Sequence, residues 1–147
     1  MTSTNTQIEF ILVIFKDYFS LGELTDLLGI NPTKSWIKGD LILPHNGLFV
    51  KDNMVRFRQE TVWQFSTGFI KTLDFDDVYY QFEKVFKNKF FVLKKYIQKN
   101  KLKTVIEIVV EIVDEAAPSI HFNKKLIKIC KELGAEVDID MYLINND

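Results

Sequence analysis

Two stretches of the chain carry the same pattern of apolar and polar positions. Residues 7–15 form an apolar run that leads to Ser20, a short amphipathic segment, Leu28-Gly29 and another extended stretch. Later, Ile106, Ile108, Val110 and Ile112 alternate with Glu107 and Glu111. Asn123, a second amphipathic segment and Leu133-Gly134 follow, and then Val137, Ile139, Met141 and Leu143 alternate with Asp138, Asp140 and Tyr142. Period-2 alternation predicts strands, and spacing of three and four predicts helices, so each stretch reads as a β-α-β unit. The run 10–15 has no polar interruption and predicts a strand buried on both faces. Period-2 alternation in the later strands predicts one helix-covered face and one wetter face.

Local punctuation supports these bounds. Ser20-Leu-Gly-Glu23 has the form of a capping box, Gly29 can supply a left-handed C-cap, and Pro32 stops the helix. Residues 33–38 are predicted extended, ending in a Gly39-Asp40 turn. The stretch 41–53 is irregular, with Pro44, Gly47 and Asp52-Asn53 as turn signals. Residues 54–58 and 61–66 read as a hairpin joined by Gln59-Glu60. From Asp74 onward Phe75, Val78, Tyr79, Phe82, Phe86, Phe90, Leu93 and Ile97 form one apolar stripe, which predicts a long helix with a break near Asn88.

The expected fold is therefore α+β: a single domain over 7–144 behind a polar, disordered tail at 1–6. Its sheet is mixed and mostly antiparallel, built from two β-α-β (ferredoxin-like) halves with helices packed on one face. A chain of 147 residues with 47% hydrophobic content suits one well-cored domain. The net charge of −1 gives no overall pull toward nucleic acid or an anionic membrane. The single cysteine, Cys130, cannot make an internal disulfide and lies on an apolar helix stripe with Leu126 and Leu133. That fits a structural thiol and a cytoplasmic setting. The run 10–15 is too short to span a bilayer.

Little in the chain points to catalysis. His45 and His121 have no second His or Cys at ligand spacing, so no metal site is expected. No nucleophile elbow and no phosphate-binding glycine loop is present, and no cofactor is implied. Glu107, Glu111, Asp138 and Asp140 share a sheet face, where they read as solvated carboxylates. Three other features are candidates for contact. Residues 84–103 carry eight lysines and no acid. On a helix, Lys84, Lys87, Lys94, Lys95 and Lys99 fall opposite the apolar stripe, as a solvated face would. Phe91 falls among them, where a large ring is unexpected. Arg56 and Arg58, the only arginines beside seventeen lysines, share one face of the expected strand. They are placed either to bridge to the carboxylates or to hold an anion, with Trp63 as a ring to stack on. Trp36 and Trp63 read as core anchors or as stacking platforms.

The segment Leu28-Gly-Ile-Asn-Pro-Thr-Lys-Ser-Trp36-Ile-Lys-Gly39-Asp40 is the most distinctive of the chain. With Thr61-Val-Trp63-Gln-Phe-Ser66-Thr67, Leu133-Gly134-Ala135 and Asp138-Ile-Asp140-Met-Tyr142, it resembles a family of small bacterial proteins of unknown function. Its pattern is LGI-x-P-(T/S)-x-x-W-x-x-GD, then a W-x-(x)-S segment and an LG-(A)-x-(hydrophobic)-D strand. The resemblance implies a compact α+β domain without established catalytic residues, and by analogy an immunity-type binding role. The motif also reads as folding chemistry, with Trp36 filling the core between two turns.

A non-enzymatic domain that binds a protein partner, of toxin-immunity or antitoxin type, is the leading expectation. Its candidate contacts are Arg56, Arg58, Trp63, Trp36, Phe91, Lys94 and Lys95. Nucleic acid and membrane are not expected as partners, and a homodimer is compatible with the pattern. The alternative is a small-molecule or nucleotide binder, in which Arg56 and Arg58 hold an anion in a pocket beside the hairpin.

Overall fold

The run that begins at Gln7 becomes β1 (Gln7–Lys16), the middle strand of the sheet. A computed structural model describes residues 3–43 and 55–145. Most of the irregular stretch 41–53, His45 included, and the first residue of the strand expected at 54–58 lie outside the described residues.

From β1 the chain runs through α1 (Leu21–Leu28), β2 (Lys34–Trp36), β3 (Thr61–Ser66) and β4 (Ile70–Lys71). Then come α2 (Phe75–Phe86), α3 (Phe90–Asn100), β5 (Lys103–Val113), α4 (Lys124–Leu133) and β6 (Glu136–Ile144). The strands order as β2-β3-β1-β5-β6, with β4 also on β1. All pairings are antiparallel except β5 with β6, which run parallel. The chain is a single α+β domain with a mixed sheet. Its two β-α-β units close differently: β5 and β6 are neighbours, whereas β3 lies between β1 and β2.

Helix ends follow the local signals. The Ser20 hydroxyl accepts from the Glu23 N–H at 3.1 Å, and Asn123 Oδ1 accepts from the Leu126 N–H at 2.9 Å. Gly29 and Gly134 both take left-handed conformations at the C-caps. The break expected near Asn88 is present, with Asn88 at φ 68° between α2 and α3.

All four helices pack on one face. Ile8, Phe10, Leu12 and Ile14 of β1, with Ile106, Ile108 and Val110 of β5, are buried against Phe75, Val78, Phe82, Phe86, Leu93 and Leu126. β1 is less enclosed than its sequence predicts, because Glu9, Val13 and Phe15 on its other face are only half-buried. Thr6, expected in the tail, is fully buried, and its hydroxyl donates to the Ala116 carbonyl at 2.7 Å.

The hairpin expected from 54–58 and 61–66 does not form. β3 pairs with β1 (Ile14 opposite Trp63) and with β2 (Ser35 opposite Trp63), so both of its sides are taken. The preceding residues turn back instead onto the segment after β2: Arg58 N–H donates to the Asp40 carbonyl at 2.8 Å, and Phe57 bridges Leu41.

Candidate functional site

β6 forms one edge of the sheet. β5 occupies its other side, in register from Val105 opposite Glu136 to Val113 opposite Ile144. Because side chains alternate, Glu136, Asp138, Asp140 and Tyr142 share the open face, and Val137, Ile139, Met141 and Leu143 face the helix side. α4 turns its apolar stripe, Leu126, Ile129 and Leu133, into the core. It does not reach along the rest of β6. Ile139, Met141 and Leu143 are 40%, 57% and 78% exposed, although the alternation predicted a covered face.

The open face beside this edge is acidic. Glu107 of β5 lies opposite Asp138 of β6 and Ile11 of β1, while Glu9 and Asp140 flank Val109 from either side. Burial raises the Glu107 carboxyl above the ordinary carboxylate range, and Asp140, Asp138 and Glu9 push the same way. Glu9 accepts from the Ser66 hydroxyl, and Glu111 accepts from the Gln7 amide at 2.7 Å. Among the described residues, no group of three or more His, Cys, Asp and Glu side chains could hold a metal ion.

On the opposite side of the molecule a cleft of about 500 Å³ lies between α2, α3 and α4. Tyr79, Phe90, Ile129 and Leu133 supply its apolar wall, and lysines line its rim. The bend at Asn88 opens it by letting α3 leave the line of α2. Two cation–carboxylate pairs cross the opening: Lys94 with Glu132, and Lys125 with Glu83 at 3.5 Å. The contact with Lys94 holds the Glu132 carboxyl below its ordinary range.

Residues 6–144 match the family model described as "Domain of unknown function (DUF4279)". The chain belongs to this family. No curated protein and no solved structure matches it.

Within this DUF4279 domain the sequence candidates separate into three places. Phe91 and Lys94 line the helical cleft, and Lys95 sits 4.5 Å above the Phe91 ring. Phe91 stays 67% exposed even though the helix breaks before it. Arg58 stacks 3.9 Å over the Trp36 ring at the β2 edge. The stacking ring is thus Trp36, not Trp63, and Trp36 is half-exposed on the open face instead of filling the core. Trp63 is fully buried, with its indole N–H donating to the Thr25 hydroxyl at 3.1 Å. Arg56 is exposed, and neither arginine reaches the carboxylates. β2 and β5 are three strands apart, about 14 Å at ordinary strand spacing. This cleft does not lie beside the Arg pair.

Tyr79, Lys128 and Ile129 of the cleft were missed by sequence reasoning, as was the uncovered edge of β6. Tyr79 and Ile129 sit on core stripes, and only the packing of α4 against the bent α2–α3 pair brings them to a surface. The one signal available was Asn88, a left-handed former in the middle of an apolar stripe. Among the described residues, no helix is long and apolar enough to cross a membrane.

Proposed function

We propose that this domain binds a protein partner, taking an extended basic segment of it as an added strand along β6. The observation that carries this reading is β6 itself. It has nine residues at an edge of the sheet, an exposed apolar row on one face and Glu136, Asp138 and Asp140 on the other. An exposed edge offers a row of backbone groups for strand addition, with side-chain pockets setting preference. Long apolar edges are otherwise blunted by charge, bulges or a covering element.

Charge selects the kind of segment. A second copy paired antiparallel about Asp140 would set Asp140 against itself, and pairing about Met141 would still leave the two Asp140 side chains diagonal neighbours. Like charges opposed across strands destabilise. A segment alternating basic and apolar residues meets the acids with its cations and the row Ile139, Met141, Leu143 with its apolar side chains. An immunity-type factor facing a basic protein is one instance of this role. The element order, with β3 between β1 and β2 and β5 on the far side of β1, also supports a ferredoxin-like core to which α4 and β6 are added.

Fluorescence anisotropy with labelled peptides tests the reading. A peptide alternating Lys and Val is expected to bind, and one alternating Glu and Val is not. Reversing the edge with Asp138→Lys and Asp140→Lys is expected to exchange the preference. Equal binding of both peptides, or binding indifferent to the reversal, would refute strand addition; a dimer that competes with the peptide would assign β6 to a second copy.

A further inference from the structure

We infer that the α2–α3–α4 cleft is a binding site for a small amphipathic carboxylate, a molecule with a short aliphatic or aromatic body and one anionic head. The cleft is remote from β6, so this inference stands independently of strand addition.

Three observations converge there. The first is the shape and lining. About 500 Å³ falls within the size range of small-ligand sites, and Tyr79, Phe90, Ile129 and Leu133 give the wall an apolar surface for a hydrocarbon body.

The second is charge. Of the rim lysines, Lys94 and Lys125 are neutralised by Glu132 and Glu83. Lys87 and Lys128 line the same cleft and have no carboxylate within ion-pair distance among the described residues. Lys87 comes from the bend between α2 and α3, and Lys128 from α4, so the two unneutralised cations approach from different elements. That leaves a positive rim above an apolar wall, which favours an anion over a cation or a neutral molecule of the same body.

The third is an incomplete hydrogen bond. Tyr79 is only 3% exposed, and its hydroxyl, beside the Glu83 carboxylate, completes no well-formed hydrogen bond. Burial raises its pKa, and the neighbouring Glu83 charge acts in the same direction, so the group is a neutral O–H donor at all ordinary pH. A buried donor left without an acceptor is destabilising, and buried polar groups are nearly always satisfied. Tyr79 lines the cleft and also the shallower hollow next to it, towards Asn123 and Lys124. A carboxylate at this wall meets Lys87 and Lys128, and a small shift of the Tyr79 ring, whose hydroxyl is enclosed at rest, lets one of its oxygens accept from that hydroxyl. Alcohols and amines of the same size satisfy at most one of these demands.

Isothermal titration of the whole chain with octanoate tests the site, with octylamine, 1-octanol and acetate as comparators. Octanoate is expected to bind saturably at one site, with a dissociation constant below about 1 mM. The three comparators, which lack the head or the body, are expected to bind at least about tenfold more weakly. Lys87→Ala with Lys128→Ala should reduce octanoate affinity to the level of 1-octanol. Tyr79→Phe should weaken octanoate several-fold while leaving the melting temperature the same or higher, because it removes an unsatisfied group. The site is refuted by octanoate binding no tighter than octylamine, by an unchanged affinity in the lysine double variant, or by no saturation at about 5 mM. Should Tyr79→Phe fail to fold, the lysine pair, both on the surface rim, decides the matter alone.

Discussion

Glu107 shows how a single side chain registers the character of its surroundings. It sits on the middle of the open face, opposite Asp138, with Asp140 and Glu9 close by. Burial and these like charges hold its carboxyl above the ordinary range. The sign of the consequence follows from linkage. A carboxyl whose folded pKa is raised contributes stability that is fully present below its unfolded pKa and is lost as pH rises through the folded value. At neutral pH Glu107 therefore opposes folding. Glu107→Gln is expected to raise the melting temperature by a few degrees at neutral pH, and the gain should disappear below the ordinary carboxylate pKa. Thermal melts of both proteins across that window check this. A gain that persists unchanged in acid, or no gain at neutral pH, would mean that the acidic face exerts no strain on the fold. The two tryptophans make the companion point: both sit in short strands, and the faces those strands turn separate a buried anchor, Trp63, from Trp36, a half-buried platform for Arg58.

Among the elements, the α2–α3 pair has the clearest mechanical feature. Asn88 holds φ at 68°, which a residue with a Cβ adopts at a cost and Asn and Gly tolerate best. Asn88→Ala is expected to destabilise the chain by about 1 kcal/mol, and Asn88→Gly to fall within about 0.5 kcal/mol of the parent, measured by urea unfolding. Equal effects of Ala and Gly would show that the bend does not depend on the left-handed residue. The bend was legible in the sequence because its signal is local, as were the caps at Ser20 and Gly29. What was not legible depended on distant pairing. Residues 61–66 alternate as a strand should, yet nothing near them says that β1 and β2 take both their edges. Hence the strand expected at 54–58 has no free edge of β3 to pair with, and Arg56 and Arg58 follow the segment after β2 instead. β6 alternates as a half-covered strand does, and its exposure follows only from α4 stopping short of it. In the cleft, Phe91 and Lys94 stood out as anomalies on a helical projection, whereas Tyr79, Lys128 and Ile129 look like ordinary members of their helices until α4 is set against α2 and α3.

For the whole molecule, the net charge of −1 conceals a division. Glu9, Glu107, Glu111, Asp138 and Asp140 lie on the open side of the sheet, while Lys87, Lys94, Lys125 and Lys128 surround the helical cleft on the other. Two opposite fields on two faces suit two unlike ligands, and they separate binding from stability. The core that holds the fold together is apolar and insensitive to screening, and the ion pairs Lys94–Glu132 and Lys125–Glu83 are surface pairs of small worth. Raising salt from about 0.01 to about 0.5 M shortens the screening length from about 30 Å to less than 8 Å. Affinity for the Lys–Val peptide at β6 and for octanoate at the cleft should both fall steeply over that range, and the melting temperature should move by no more than about 2 °C. Peptide and octanoate titrations run beside thermal melts at each salt concentration make the comparison. Were stability to fall with salt while both affinities held, the charges would belong to the fold and not to its ligands. A response of one ligand without the other would assign a recognition role to a single face and leave the opposite charge as solvation. Simultaneous binding, with neither ligand displacing the other, is the further outcome that the placement of the two faces requires, since no strand or helix contributes side chains to both.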